Sequence, residues 1–362
     1  MVEGSWGADA WGADAPDTVV HGDNLEISRT LPDGSFRLVY LDPPFNTGRA
    51  QRHRAMQAVR DPEGDRAGFG GERYRTVIRT LYGYDDRFED YWGFLEPRLA
   101  EAWRLLDDRG TLYLHLDYRE AHYAKVALDA LFGRDCFLNE LIWAYDYGGK
   151  TNRRWPAKHD TILVYVKNPA GYYFDNATVD REPYMAPGLV TPEKAERGKL
   201  PTDVWWHTIV QVGGAERTGY PTQKPEGILR RIVQASSAPG DAVLDLFAGS
   251  GTTGAVASAL GRRFLLVDAN PDAVEVMRAR LPHARFLAAA PAASAASASP
   301  ASAPPASASA SASASASAAP ASAPRAPAAM SKMQESPRTA MSKMQETSGV
   351  SDATPLGSRT SP

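Results

Sequence analysis

Residues Asp241–Gly251 read DAVLDLFAGSG, and this stretch decides the fold. The segment Asp241–Phe247 is a short apolar run, which is typical of a buried strand in a parallel sheet. Glycines at 249, 251 and 254 follow it, and the sequence then predicts a helix over 252–260. A strand, a glycine-rich turn and a helix in this order predict half of a nucleotide-binding βαβ unit.

The next strand supports a cofactor site at the same edge of the sheet. Phe264–Val267 is apolar and ends in Asp268, where an acid can accept hydrogen bonds from a ribose. An NAD-dependent oxidoreductase of the Rossmann class is therefore one interpretation. Against it stands Asp245, a carboxylate just before the glycines, where a pyrophosphate would lie. This position suits a cationic ligand better.

A second motif, Asp42-Pro43-Pro44-Phe45, follows the apolar run Leu38–Leu41. A carboxylate and a backbone carbonyl at such a turn can accept both hydrogens of a planar amine and position it for attack. The prolines stiffen the turn, and the phenylalanine offers a face for stacking. Taken alone, the tetrapeptide is equally consistent with an ordinary turn, but the carboxyl end of a strand is where α/β sheets bind ligands.

Together, the two motifs resemble those of DNA amino-methyltransferases. A catalytic motif first and a cofactor loop last resembles the beta class, a circularly permuted, Rossmann-like class I methyltransferase fold, and the likeness runs from about Thr18 to Phe286. It implies an α/β enzyme that transfers a methyl group from S-adenosylmethionine to the exocyclic amino group of a flipped base. Aspartate rather than serine at position 42 is the family's cue for adenine N6, and cytosine N4 is the alternative.

The remaining pattern supplies the rest of such a sheet. Strands are predicted at 18–23, 38–42, 110–117, 137–143 and 161–166, and helices at 120–132, 226–234 and 271–281.

The resemblance also implies which residues bind the cofactor. They are Asp23, Thr222, Lys224, Asp245, Phe247, Gly249, Gly251 and Asp268. Asp23 is expected to contact the adenine, although a turn aspartate is nearly as consistent with the pattern. Thr222 and Lys224 are expected to reach the methionine carboxylate, and a solvated lysine is the alternative. The glycines at 249 and 251 are expected to let the backbone approach the ligand.

DNA recognition has to be local. The formal net charge is −3, and the tail from Ala288 holds five basic and three acidic residues, so the remainder carries −5. Two segments qualify as DNA-binding surfaces. Arg49–Arg79 is rich in arginine and is predicted as a long loop. The second segment offers Lys150, Arg153, Arg154 and Lys158 as phosphate contacts, beside the aromatic side chains of Tyr147 and Trp155. A solvated charged face is the alternative for each.

These patterns divide the chain as follows. We predict a disordered extension at 1–16, a methyltransferase domain at 17–287 with a mobile DNA-contacting loop at 49–90 and a target recognition region at 144–220, and a disordered Ala/Ser/Pro tail at 288–362. Cys136 is the sole cysteine, which fits a reducing cytoplasm, and with it nucleoid association. No signal or membrane-spanning pattern and no histidine cluster for a metal is expected.

Double-stranded DNA is the implied partner, and a cognate restriction endonuclease and a homodimer are left open. A methyltransferase acting on RNA or on protein glutamine would use similar chemistry, and what separates it is the basic surfaces at 49–79 and 150–158, which a peptide substrate would not require. A non-catalytic DNA-binding module would not require the two motifs.

Overall fold

A computed structural model describes residues 4–7, 10–60, 66–67, 73–211 and 213–289. Except for its first two residues, the tail predicted at 288–362 lies outside them.

The described part of the chain contains strands that we number in chain order. They are β1 (Gly4–Ser5), β2 (Thr18–His21), β3 (Phe36–Leu41), β4 (Arg49–Arg60), β5 (Arg66–Ala67), β6 (Arg73–Asp86), β7 (Leu106–Leu116), β8 (Phe137–Ala144), β9 (His159–Val166), β10 (Val204–Trp206), β11 (Ala242–Asp245), β12 (Arg263–Asp268) and β13 (Arg285–Ala288). The helices are α1 (Asn24–Arg29), α2 (Tyr91–Leu105), α3 (Ala121–Phe132), α4 (Pro192–Arg197), α5 (Glu226–Ser236), α6 (Thr252–Ala259) and α7 (Pro271–Arg280). The sequence correctly predicted β2, β3, β7–β9, β11, β12, α3 and α5–α7, but not β1, β4–β6, β10, β13, α1, α2 or α4.

The large sheet has ten strands in the order β1-β13-β2-β12-β11-β3-β7-β9-β8-β10. Its neighbours pair in parallel, except that β9 runs antiparallel to both β7 and β8. The centre of the sheet pairs β11 with β3, and Asp245 lies in register with Tyr40. From β11 the chain continues to β12 on one side, whereas from β3 it continues to β7 on the other. A crevice for a ligand is expected at such a switch point, at the carboxyl ends of the two strands.

Helices cover both faces of this sheet. One core cluster contains Leu41 together with Leu99 of α2 and Leu128 of α3. The other contains Tyr40 together with Ile232 of α5 and residues of α6 and α7. Because successive strand residues point to opposite faces, a strand segment buried on both sides must be apolar throughout, as Leu38–Leu41 is. The predicted doubly wound α/β fold is confirmed.

The prediction of disorder for residues 1–16 is wrong where the structure describes them. Gly4 and Ser5 pair with Leu287 and Ala288 at the edge of the sheet. Trp11 is 4% exposed and stacks on Phe36, with ring centroids 5.4 Å apart. The repeated WGADA sequence looked like low complexity, but burying an indole ring is a large apolar contribution that can order a short segment.

The long loop predicted over Arg49–Arg79 is also corrected. β4 and β6 pair antiparallel from Arg49↔Asp86 to Arg60↔Tyr74 and form a ribbon, with β5 on the other side of β6. Its sequence contains the signal that the arginines obscured, because β-branched and aromatic residues dominate β6. Within 144–220, the described residues are mostly irregular apart from β9, α4, one short 3₁₀ turn and β10, which adds a strand to the sheet.

None of the helices in these described ranges has the length and hydrophobicity needed to cross a bilayer.

Candidate active site

A cavity of about 350 Å³ lies at the switch point between β11 and β3. This volume is in the range of pockets that enclose small ligands. Its walls include most of the residues singled out from the sequence, namely Asp23, Asp42, Pro44, Thr222, Lys224, Asp245, Phe247, Gly249 and Asp268. Pro43, Phe45 and Gly251 are not among the residues that line it.

Asp42, directly after β3, has two carboxylate oxygens in different environments. Oδ2 accepts a hydrogen bond from the Lys224 ammonium at 2.5 Å, and the two side chains are 15% and 11% exposed. Oδ1 is buried and has no hydrogen-bond partner within the described residues. A buried acceptor without a donor costs free energy. An N–H group entering the cavity would satisfy this oxygen.

The turn that carries Asp42 is held from α2. The Tyr91 hydroxyl donates to the Pro44 carbonyl at 2.8 Å. Burial and the nearby carboxylates, Glu120 first among them, raise the pKa of Tyr91, so its proton is retained for this hydrogen bond. The proline-rich turn therefore has both fixed φ angles and an anchored carbonyl.

Phe45 lies between a cation and a buried histidine. The Lys224 Nζ is 4.9 Å from the centroid of its ring, and the His115 ring is 5.9 Å from it. Phe45 is only partly buried, so part of its ring is open to solvent at the edge of the site.

Behind Phe45, His115 belongs to a buried polar network that the sequence analysis missed. The Tyr40 hydroxyl and Nδ1 of His115 are 2.7 Å apart, Nε2 lies 3.3 Å from Asp160, and the Tyr145 hydroxyl donates to Asp160 at 3.0 Å. Burial opposes ionisation of Asp160, but the hydrogen bond and charge of His115 outweigh it and lower the pKa of that carboxyl. A histidine in the middle of an apolar strand was the signal that could have revealed this network.

Asp245, at the end of β11, is held under the glycine turn. Its carboxylate accepts hydrogen bonds from the Thr253 hydroxyl at 2.6 Å and from the Phe247 N–H at 2.9 Å. Burial raises the pKa of Asp245 to about 7, and the negative charges of Asp42 and Asp268 act in the same direction. A cation beside it would favour the ionised form.

Asp268 organises the glycine turn as well as lining the cavity. Its two oxygens accept hydrogen bonds from the Gly249 N–H and the Asn270 N–H, each at 2.8 Å. Gly249 has φ +51°, a left-handed conformation that favours glycine. Burial raises the pKa of Asp268. Each carboxylate oxygen has a further lone pair with which to accept a ligand hydroxyl.

Gly251 has a packing role. It precedes α6 with φ +73°, and a Cβ added there would lie 2.8 Å from the Met277 side chain. Its lack of a side chain permits close packing against α7. Gly249 lines the cavity and Gly251 does not, so the approach of the Gly251 backbone to the ligand stays a prediction.

Asp23 is both a helix cap and part of the cavity wall. Oδ1 accepts from the N–H groups of Leu25 and Glu26, which caps α1, and Oδ2 pairs with Arg98 at 2.9 Å. Arg98 also donates to Asn24 and lies 3.9 Å from the centroid of the Phe94 ring. The sequence reasoning missed Phe94 and Arg98 because it did not predict α2.

The predicted DNA contacts lie on the connection between β8 and β9. Ala144 pairs with His159, and Leu116 with Thr161, so this connection is at the same edge of the sheet as the catalytic motif. Lys150 and Arg153 are exposed.

The other two basic residues of this connection have partners within the chain. Arg154 donates to the Tyr118 hydroxyl at 3.2 Å. Lys158 donates to the carbonyls of Asp146 at 2.8 Å and Gly148 at 3.2 Å. The structure thus brings these groups to one edge but holds Lys158 in internal bonds.

Comparison with known proteins identifies the family. A family model described as DNA methylase, covering N6 and N4 methyltransferases, matches residues 36–279. The chain is 30% identical over 280 residues to the DNA adenine methyltransferase YhdJ of Escherichia coli K12, spanning 75% of this chain and 85% of that protein. It is 29% identical over 259 residues to the type II methyltransferase M.HpaI of Haemophilus parainfluenzae, 71% of each chain.

One solved structure supports the fold, and a second is reported beside it. The cytosine-N4-specific PvuII DNA methyltransferase is similar with a TM-score of 0.50 and 16% identity, over 74% of this chain and 86% of that one. A crystal structure of the M1.HpyAVI–SAM complex is similar with a TM-score of 0.47 and 20% identity, over 73% and 98%. The chain therefore belongs to the DNA methylase family, whose members transfer the methyl group of S-adenosylmethionine to an exocyclic amino group of DNA.

Proposed function

We propose that this chain methylates N6 of adenine at a specific sequence of double-stranded DNA. Two observations support adenine over cytosine. The first position of the catalytic motif is Asp42, which in the resemblance is the cue for adenine, and the 30% identical relative is named an adenine methyltransferase. The observation that carries the proposal is the buried, unpartnered Oδ1 of Asp42 at the cavity wall.

The chemistry follows from the properties of the amine. Its lone pair is delocalised into the purine ring, so the nitrogen is a poor nucleophile. Oδ1 of Asp42 and the carbonyl of Pro43 accept its two hydrogens, which draws the nitrogen toward tetrahedral geometry and localises the lone pair. Phe45 stacks on the base after it leaves the duplex. The main contribution of the site is positioning, since the groups are fixed before the base arrives.

The cavity residues fit S-adenosylmethionine, which supplies an electrophilic methyl group when bound. Carboxylates from three strand ends line the cavity, which suits a cationic ligand and would repel the pyrophosphate of NAD. Asp268 would accept the ribose hydroxyls, and Asp23 would lie at the adenine end beside Phe94. Asp245, Phe247, Gly249 and Thr222 would surround the amino-acid end.

We further propose that the basic connection between β8 and β9 contacts DNA. Lys150, Arg153, Arg154 and Lys158 would meet phosphates, and Trp155, which is 94% exposed, would stack near the gap left by the flipped base. The ribbon from Arg49 to Asp86 directly follows the catalytic motif and would add a second DNA contact, and residues 144–220 would select the target sequence. These assignments rest on placement at the catalytic edge and on charge.

The test is expression of the chain in a host that lacks DNA methylation, followed by single-molecule sequencing of its genome. We expect N6-methyladenine at one sequence motif, and none with the Asp42→Ala variant as the matched control. N4-methylcytosine would overturn the choice of base. Unmodified DNA despite expression of a protein that binds S-adenosylmethionine would overturn the DNA substrate.

One relative is a type II methyltransferase, so the proposal extends to a restriction endonuclease with the same recognition sequence. Such a nuclease should not cut DNA that this chain has methylated. A homodimer, and a location in the cytoplasm at the nucleoid, are further expectations. Sedimentation of the purified chain tests the former, and imaging of a fluorescent fusion tests the latter.

A further inference from the structure

Lys224 was expected to bind the methionine carboxylate of the cofactor, and in the structure its ammonium lies beside the catalytic motif. It contacts Oδ2 of Asp42 at 2.5 Å and faces the ring of Phe45 at 4.9 Å, with its side chain 11% exposed. Its backbone is also anchored, because the Lys224 carbonyl accepts a hydrogen bond from the Thr252 hydroxyl at 3.1 Å. Thr252 begins α6, so the lysine is fixed to the cofactor loop while its charge reaches the catalytic motif.

This arrangement distinguishes the two oxygens of the Asp42 carboxylate. An ammonium on Oδ2 holds the carboxylate in one orientation and leaves Oδ1 as the buried acceptor without a partner. Without the ammonium, the side chain could turn toward either oxygen, and a buried charge would lose its partner. The same ammonium attracts the face of the Phe45 ring, so one cation fixes both the amine acceptor and the stacking platform.

We propose that Lys224 is a positioning residue for methyl transfer, acting through Asp42 and Phe45 rather than by binding the cofactor. The proposal rests on the proposed function. In the reaction a C–N bond forms at the amine and the C–S bond breaks, with its electron pair remaining on sulfur. The amine proton passes to Oδ1 of Asp42 and then to water, while Lys224 keeps its own proton throughout.

Two substitutions and two measurements test this. Lys224→Met removes the charge at similar volume, and Lys224→Arg keeps the charge. Single-turnover rates at saturating DNA and S-adenosylmethionine report on transfer, and calorimetry with S-adenosylhomocysteine, which has the same amino-acid carboxylate, reports on cofactor binding. We expect Lys224→Met to lower the rate about 100-fold, the usual cost of a lost preorganised electrostatic contact, with the dissociation constant changed by less than about twofold. Lys224→Arg should recover most of the rate.

The matched control is Lys125→Met, which breaks another Lys–Asp ion pair, the one with Asp129 within α3, outside the cavity. It should change neither quantity. A dissociation constant raised tenfold or more, with the saturated rate retained, would return Lys224 to the cofactor carboxylate and overturn the proposal. Unchanged values for both would also overturn it.

Folding is checked by thermal unfolding, which also measures the coupling of the pair. Lys224→Met should lower Tm more in the parent than in the Asp42→Asn background, because only the parent is left with an unpaired buried carboxylate. Equal shifts in both backgrounds would show that the pair is not coupled. A parent chain that transfers no methyl group to DNA would overturn the proposed function itself, whereas an active parent with an unaffected Lys224→Met variant overturns this inference alone.

Discussion

The cofactor cavity and the basic connection between β8 and β9 lie at the same edge of one sheet, yet they are built differently. In the cavity, Asp268 and Asp245 each accept two hydrogen bonds from the chain, three of those four from backbone N–H groups. In the connection, Lys150 and Arg153 are exposed. The cavity residues are fixed by the fold before a ligand arrives, whereas Lys150 and Arg153 extend into solvent.

Because of this difference, the role of a cavity residue and the role of a surface residue are inferred from different properties. A residue at a strand end is placed by the sheet register, so its chemistry can be inferred from position. The position of a charged residue on a surface connection is not set by the sheet register, and its role depends on the charge of a partner. Substitutions should therefore affect turnover or cofactor affinity in the first region and the salt dependence of DNA binding in the second.

The largest effect is expected for Asp42→Ala. The variant removes the acceptor of the amine hydrogen, so we expect the transfer rate to fall by at least about 1,000-fold, the upper range for losing one preorganised group. Binding of S-adenosylhomocysteine should change little, because the loss falls on the transition state. Single-turnover assays and calorimetry measure the two. Weakened cofactor binding with turnover retained would contradict the assignment of Asp42.

Asp268→Ala should have the converse effect. Its carboxylate is a charged acceptor for the ribose and also holds the glycine turn, so cofactor binding should weaken by about 1–3 kcal/mol. At saturating cofactor the transfer rate should approach that of the parent. Calorimetry checks the affinity, with Asp272→Ala in α7, outside the residues that line the cavity, as the control. Unchanged affinity, or tighter binding of NAD than of S-adenosylmethionine, would favour the oxidoreductase interpretation of the cavity.

A smaller effect is expected from pH, through Asp245. Folding raises the pKa of this group from 3.8 to about 7 because it is buried. Its contribution to stability is therefore fully present below pH 3.8 and is lost as the pH rises toward about 7. A cationic ligand favours the ionised form, which makes up about a tenth of the population at pH 6 and about nine-tenths at pH 8, so affinity should rise about tenfold over this range.

Calorimetry of S-adenosylmethionine binding between pH 6 and pH 8 measures this dependence. Asp245→Asn has no carboxylate to titrate, so the part of the dependence that belongs to Asp245 should disappear in that variant. The same slope in the parent and the variant would show that another group is responsible.

The sequence predicted the centre of this molecule better than its periphery, for physical reasons. A strand that is apolar and ends in an acid has few other places to fold, which is why the strands predicted at 38–42 and 241–247 were correctly placed. The ion pair of Lys224 was harder to predict, because tertiary contacts determine which group a flexible side chain meets. The pairing with Asp42 across 182 positions of sequence has no local signal.

The predictions of secondary structure and order were wrong where the local composition resembled that of a loop or a disordered segment. Arginines in β6 concealed a strand, and a repeat around Trp11 concealed a buried ring. The α2 helix, which carries Tyr91, Phe94 and Arg98 to the site, contains Pro97 and was not predicted. A proline inside a helix removes a backbone hydrogen bond and crowds the preceding turn, so its presence in the sequence argues against a helix.

The smallest effect on turnover and the clearest on DNA binding are expected from the basic connection. Replacing Arg153 and Arg154 with Ala should weaken binding similarly for target and non-target duplexes and reduce the log–log salt slope by about 2, since each phosphate contact contributes about 0.9. Adding Lys158→Ala should reduce the slope by up to about 1 more, because its ammonium must leave two backbone carbonyls to reach a phosphate.

Fluorescence anisotropy across a salt titration measures these slopes, with Lys125→Ala as the control outside this edge. At saturating DNA the transfer rate should remain that of the parent, because the proposed contacts of these residues are to the backbone of the duplex and not to the reacting amine. A triple variant whose salt dependence matches the parent would move the DNA contact to the ribbon formed by β4 and β6, and a parent that binds no duplex at low salt would contradict the DNA interface altogether.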